Sequence, residues 1–284
     1  MPWLLISLLL AQGPADRLDD RLKQLIAASG AEVSVAILTV DGSHEQFIEA
    51  DKSFHAASTM KVPVMIELFR QVDGGLLKLD EQLPVRNEFH SIVDGSVYQM
   101  DVSDDSDSGV YKSVGKTMTL RELCEAMITV SSNFAANLLI ERVGAKNVQA
   151  TVDRLGGAGV RVLRGVEDQK AFDKGLNNVT TARGLAVLLG RLATGTAVSA
   201  KADAEMIAIL KRQKFNDGIP AGIPPGTAVA HKTGTITKIH HDAAIVFGPR
   251  PYVLVVLVRG IQDQKVSGPL IASISREVWS DLSK

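Results

Sequence analysis

The stretch VAHKTGTITKIHHDAAIVFGPRPYVLVVLV, residues 229–258, is dense in β-branched and aliphatic residues. It reads as three strands, over Val229 to Thr233, Ala243 to Phe247 and Tyr252 to Val258, the last two joined by the turn Gly248-Pro249-Arg250-Pro251. Working outward, the opposite end of the chain carries the same signals. Val33 to Val40 reads as a strand closed by Asp41-Gly42, with Phe47 to Ala50 as a short partner across that turn. Between these ends the pattern is helical. Thr119 and Glu122 have capping-box spacing ahead of Leu123, Met127 and Ile128, and a second helix follows over Asn133 to Val143. Thr180 or Thr181 caps a helix covering Leu185 to Leu192. A helix over Asp16 to Ser29, with Leu18, Leu22, Leu25 and Ile26 on one stripe, precedes the first strand, and one from about Pro269 to Leu282 closes the chain. The expected fold is α/β (α+β): an antiparallel sheet built from both termini with flanking helices, and an inserted all-helical lobe. Residues 14–55 and 198–284 make the sheet lobe and 56–197 the helical one.

With 284 residues, 45% of them hydrophobic, the chain buries a large core. A formal net charge of −1 leaves no basic field for nucleic acid or an anionic membrane. The lone Cys124 forms no intrachain disulfide and reads as a small core residue. Within residues 1–13, Met1 to Ala11 form an apolar run, with its aliphatic residues between Trp3 and Leu10, too short to span a bilayer and about the length of an export-signal core. It lacks a preceding Lys or Arg, and Ala11-Gln12-Gly13 only loosely matches a cleavage site. Export to the periplasm or beyond, without a stable membrane anchor, is the expectation.

Ser58-Thr59-Met60-Lys61 sets a hydroxyl and an amine three positions apart, hence on one face of a helix running from about Ser58 to Val72. Pro63 implies an irregular first turn there. A serine needs a base to take its proton, and a desolvated lysine, or one beside other positive charge, is such a base. Spacing alone proves little, since Ser113-Val114-Gly115-Lys116 repeats it in what reads as a long solvated loop, Asn87 to Lys116. That loop carries Asp101, Asp104, Asp105 and Asp107, which lack the glycine turn and terminal glutamate of a calcium loop and read as solvated acids.

Taken with Ser131-Ser132-Asn133 and His231-Lys232-Thr233-Gly234-Thr235, the Ser58/Lys61 pair resembles the ordered motif set of the class A β-lactamases and penicillin-binding proteins. The likeness extends through Leu120 to Val143 and covers most of the chain after residue 13. The resemblance implies that Ser58 attacks a lactam carbonyl, with the backbone N–H groups of Ser58 and Thr235 holding the oxyanion. It implies that Lys61 relays the proton and Ser131 passes one to the departing nitrogen. Asn133 would hold the substrate amide and the lysine, and Lys232, Thr233 and Thr235 the substrate carboxylate, with Gly234 allowing close approach of the strand. No cofactor or metal is implied, and a monomer is expected.

Several positions depart from that pattern. The family's Glu-x-x-Leu-Asn segment is matched by Glu167 but has Ala171 in place of the asparagine, so the deacylating water loses a holder. Asp173, in Asp-Lys-Gly-Leu-Asn, fits the literal pattern but lies too near the next helix, and Glu167 is preferred. Ser132 replaces an aspartate, and Met65 stands where some members carry the partner of the cysteine matched by Cys124. By simple alignment His241 falls at an arginine that assists carboxylate binding. His240-His241-Asp242 could also suggest zinc, but strand neighbours face opposite ways. The leading expectation is β-lactam hydrolysis through an acyl-serine; the alternative is a penicillin-binding peptidase or esterase-like enzyme that deacylates slowly. A noncatalytic binding module is disfavoured because every acylation residue is retained.

Overall fold

The structure, a computed structural model, describes residues 14–283; the expected export signal over 1–13 lies outside the described residues. Strands β1 (Glu32–Thr39), β2 (Glu45–Ile48), β3 (Ala228–Ile236), β4 (Ile239–Phe247) and β5 (Tyr252–Arg259) form one antiparallel sheet in the order β2-β1-β5-β4-β3. The N-terminal and C-terminal strands meet at β1 and β5, where Glu32 lies opposite Arg259 and Thr39 opposite Tyr252. Being central, β5 is buried on both faces, which is why its sequence is continuously apolar rather than alternating.

Period-two alternation divides the core. Leu254 and Val256 point to the face covered by α1 (Pro14–Ser29) and the closing helix, joining Leu18, Leu22, Ile271 and Ile274. Val253, Val255 and Leu257 point to the other face, against the helical segment. At its centre is α2 (Lys61–Asp73), whose Val62, Val64, Met65, Ile66 and Leu68 are all buried; apolar residues on several sides of a helix place it inside a core. Its one buried acid, Glu67, accepts hydrogen bonds from Arg70, Gln71 and Thr151 at 2.6–2.8 Å, which offsets the cost of removing a carboxylate from water. Around α2 lie α3 (Leu120–Thr129), α4 (Asn133–Val143), α5 (Ala145–Leu155), the short α6 (Gln169–Asp173), α7 (Ala182–Ala193) and α8 (Ala200–Leu210). Helix α7 rests directly on β1 and β5.

The expected Thr119/Glu122 capping box forms: Thr119 Oγ1 accepts from Glu122 N at 3.1 Å and Glu122 Oε2 from Thr119 N at 2.8 Å. Thr181, rather than Thr180, caps α7. The irregularity forced by Pro63 is a 3-10 turn over Ala57–Met60, so that α2 begins only at Lys61 and the proline falls in its first turn, where no intrahelical N–H is needed. Helix α5 was not anticipated, although Val148, Val152 and Leu155 repeat at helical spacing between Gly144 and Gly156. The closing helix, α9 (Gln264–Leu282), begins five residues before Pro269, capped by Asp263 and carrying that proline inside. The segment expected as a loop holds a small hairpin, Phe89–His90 with Val97–Tyr98, and two 3-10 turns. Cys124 is fully buried, and burial pushes its thiol up to about 12. Among the described residues no helix is long and apolar enough to cross a membrane.

Candidate active site

The 3-10 turn that carries Ser58 abuts the edge strand β3. An added Cβ on Gly234 would lie 3.1 Å from the backbone nitrogens of both Ser58 and Thr59, so a side chain here would push strand and turn apart by a few tenths of an ångström. Ser58 lines two adjoining clefts of about 400 and 390 Å³. The first also holds Ser106, Ser131, Asn133, Thr233, Thr235 and His240. The second holds Glu167, with Val166, Phe172 and Ile236 giving it a more apolar wall.

Behind Ser58 the polar groups converge. Lys61 Nζ donates to Ser131 O at 2.6 Å, to Asn133 Oδ1 at 2.7 Å and to Ser131 Oγ at 3.3 Å. From the other side Lys232 Nζ donates to the same Ser131 Oγ at 2.9 Å and to Thr233 O at 2.8 Å. The Ser131 hydroxyl is therefore bracketed by two lysines, both fully buried. Burial brings the Lys61 ammonium down to about 7, against the opposing pull of the Asp105 and Glu167 charges. Burial first, and the Lys61 charge second, hold Lys232 well below its ordinary range. A lysine so placed gives up its proton near neutral pH and can act as a base.

Asn133 Nδ2 donates to Glu167 Oε1 at 2.9 Å, so one amide links Lys61 to Glu167. Burial raises the Glu167 carboxyl to about 7, while the Asn133 hydrogen bond works the other way. Its segment is pinned from α4: Asn137 Oδ1 accepts from Val166 N at 2.6 Å and Asn137 Nδ2 donates to Val166 O at 3.0 Å. Buried Arg164 donates to Leu176 O and Asn177 Oδ1 across the base of the same loop. Ala57, Ser131 and Glu167 all have positive φ (44°, 60° and 63°), a conformation that L residues keep only where their surroundings impose it.

Asp173 is exposed, accepts from Gln169, and lines neither cleft; Glu167 is the carboxylate at the site. Ala171, in the asparagine's place, is buried and offers no polar group. Lys232 is shielded behind Thr233 and Ser131 rather than open to the cleft, and Thr233 and Thr235 present the facing hydroxyls.

The expectation for His241 is corrected. It is fully buried, packs edge-on against Phe54, donates from Nε2 to His55 O at 3.0 Å and accepts from Val258 N at Nδ1 at 3.1 Å. Both ring nitrogens are thus spent on neutral-state bonds, and burial lowers its pKa to about 4. The histidine facing the cleft is His240, opposite Thr235 in the ladder, its Nδ1 2.8 Å from Ser267 Oγ. A one-residue difference in a strand exchanges faces, and linear alignment does not fix which member faces the cleft. Asp242 sits 3.0 Å from His231 Nδ1 and accepts from Ile219 N, so the His-His-Asp run is spread over separate partners.

Sequence reading also missed Asp105. Its carboxylate accepts from the backbone N–H of Asn133 (2.9 and 3.0 Å to its two oxygens) and of Phe134 (2.9 Å), at the start of α4. Only the acidity of its loop could have pointed to it.

An antiparallel sheet packed on a helical segment, with a serine and two buried lysines at their seam, defines the β-lactamase/transpeptidase-like fold. The chain belongs to the β-lactamase enzyme family, which it matches over residues 17–282. A β-lactamase of Bacillus licheniformis is 31% identical over 186 residues, covering 61% of this chain; the chain spans about 58% of that relative's length. Among solved structures it is similar to PBP-A (26% identity, TM-score 0.80, 93% and 95% of the two chains). A mutant of that protein was solved as an acyl-enzyme complex with penicillin G. It is also similar to the ancestral class A β-lactamase GNCA (28% identity, TM-score 0.80, 93% and 99%).

Proposed function

We propose that this protein hydrolyses β-lactams through an acyl-enzyme on Ser58, as a class A enzyme. The observation that carries the reading is the continuous polar chain from Lys232 through Ser131, Lys61 and Asn133 to Glu167, alongside the cleft that exposes Ser58. Lys61, deprotonated near neutral pH, takes the Ser58 proton as its oxygen attacks the lactam carbonyl. The N–H groups of Ser58 and Thr235 receive the developing oxyanion, worth several kcal/mol per donor (about 2.7–4 in other serine enzymes). Ser131 hands its proton to the departing nitrogen and recovers one from the lysines beside it. Glu167 then activates the water that cleaves the ester. Thr233, Thr235 and His240 hold the substrate carboxylate, in the field of Lys232. No cofactor is needed, one chain supplies the whole cleft, and export is part of the proposal because the substrate class acts outside the cytoplasm.

A second reading, a penicillin-binding acyl-enzyme that turns over slowly, is favoured by one observation: buried Ala171 provides no second holder for the hydrolytic water. A time course with a chromogenic cephalosporin, followed by intact-mass analysis of wild type, Ser58→Ala and Glu167→Gln, separates the two. Sustained turnover, lost in both variants with adduct accumulating in Glu167→Gln, supports the hydrolase. A single burst with a stable adduct in wild type supports the second reading, and the absence of any adduct refutes both.

A further inference from the structure

We propose that Asp105 is a positioning residue: from outside the helix it clamps the N-terminus of α4 and thereby sets Ser131 and Asn133 for acylation. The inference rests on the proposed role of Ser58. At the start of α4 the Ser132 hydroxyl accepts only from Ala135 N, at 3.3 Å. The N–H groups of Asn133 and Phe134 have no helical partner, and both are taken by the Asp105 carboxylate, whose Oδ2 also lies 3.3 Å from Ser132 Oγ. The neighbouring Ser106 reaches the same motif, its Oγ lying 2.8 Å from Val130 O and 3.0 Å from Ser131 O.

These bonds fall where the backbone needs them. Ser131 has φ 60°, and its carbonyl is held between Ser106 and Lys61 Nζ. Asn133, fixed through its own N–H, is the residue whose side chain joins Lys61 to Glu167. A carboxylate suits the position because it accepts from several donors and its charge complements the helix N-terminus. Ser132 cannot do this, being short and neutral. Because Asp104 and Ser106 line the first cleft, the segment around Asp105 links the cleft wall directly to the Ser131-Ser132-Asn133 motif.

The test is a cycle of Asp105→Ala, Asp105→Asn, Ser132→Asp and the double variant Asp105→Ala/Ser132→Asp. Acylation of Ser58 is timed by intact mass with Glu167→Gln added to every member of the cycle so that adduct accumulates, and backbone amide exchange is read at Asn133 and Phe134. Loss of the clamp is expected to slow acylation about 10²-fold, the scale of an ångström's misplacement, with KM moving less. Exchange at the two amides should speed up roughly tenfold, the equivalent of one lost cap. The double variant, which supplies a carboxylate at the N-cap position itself, should recover most of the acylation rate, and failure to recover it overturns the proposal. Acylation within twofold of wild type in both Asp105 variants, or unchanged exchange, overturns the proposal. If Glu167→Gln forms no adduct at Ser58, the acyl-enzyme reading fails by itself, and the exchange measurement still decides whether Asp105 holds the helix.

Discussion

Replacing Lys61 by methionine should abolish acylation and alter the way stability depends on pH. In the unfolded chain this lysine titrates near 10.5, whereas in the fold burial brings it to about 7. Between those values the unfolded state binds more protons than the native one, so stability rises with pH across that window. The lysine's penalty is full below about pH 7 and gone above about 10.5. At pH 7 it amounts to about 4 kcal/mol relative to a neutral side chain, and at pH 9 to about 2 kcal/mol. Methionine carries no such penalty but leaves Asn133 Oδ1 without a donor, at about 1–3 kcal/mol, and Ser131 O with only its bond from Ser106. That loss is nearly independent of pH. The absolute difference at one pH is thus small and of either sign, while its change is not: relative to the variant, the wild type should gain about 2 kcal/mol between pH 7 and 9. Urea unfolding of both proteins at the two pH values measures this, with Glu167→Gln in both backgrounds to remove the other group titrating near 7. Lys232 is present in both chains and cancels to first order. A stability difference constant to within about 0.5 kcal/mol would show that Lys61 keeps its ordinary pKa and would remove the basis for its role as a base.

In the proposed mechanism Glu167 activates water only when ionised, so the deacylation rate should climb with pH through a midpoint near 7, and a rate already flat from pH 5 upward would contradict the raised carboxyl. Gly165→Ala would set a Cβ 2.4 Å from Asn137 Oδ1, breaking the pin that holds Val166; pre-steady-state kinetics should show deacylation falling about 10²-fold with acylation little changed. His240→Ala should raise KM for a cephalosporin about tenfold with kcat nearly intact, whereas His241→Ala should leave KM alone and lower the unfolding midpoint; the reverse assignment would restore His241 as the cleft residue. Thr119→Ala removes half of a capping box and should cost about 1 kcal/mol in urea unfolding without touching turnover.

The chemistry was more legible than its supports. Ser58 and Lys61 are three residues apart, and the Ser131 and Lys232 motifs are short and contiguous, so their identity survives in the linear order. Glu167 could be preferred over Asp173 from its distance to Thr181, and the structure leaves Asp173 exposed and away from both clefts. Asp105, Asn137 and Arg164 act across gaps of 28, 29 and 12 residues, through bonds to backbone groups that any sequence possesses, so no spacing marks them.

What the sequence by itself determined is the kind of each element: period-two and continuously apolar runs at both ends, helical stripes and capping pairs between them, and the motif residues in order. Local sterics and side-chain periodicity act over a few residues, and they are written where they act. Tertiary structure alone decided which of two adjacent histidines faces the cleft, because that depends on the pairing of β3 with β4 and not on either strand alone. It also decided the chemical state of the site. Lys61, Lys232 and Glu167 are ordinary side chains in an unfolded chain; only when sheet and helices close over them does the loss of water shift their protons toward the range in which they can work.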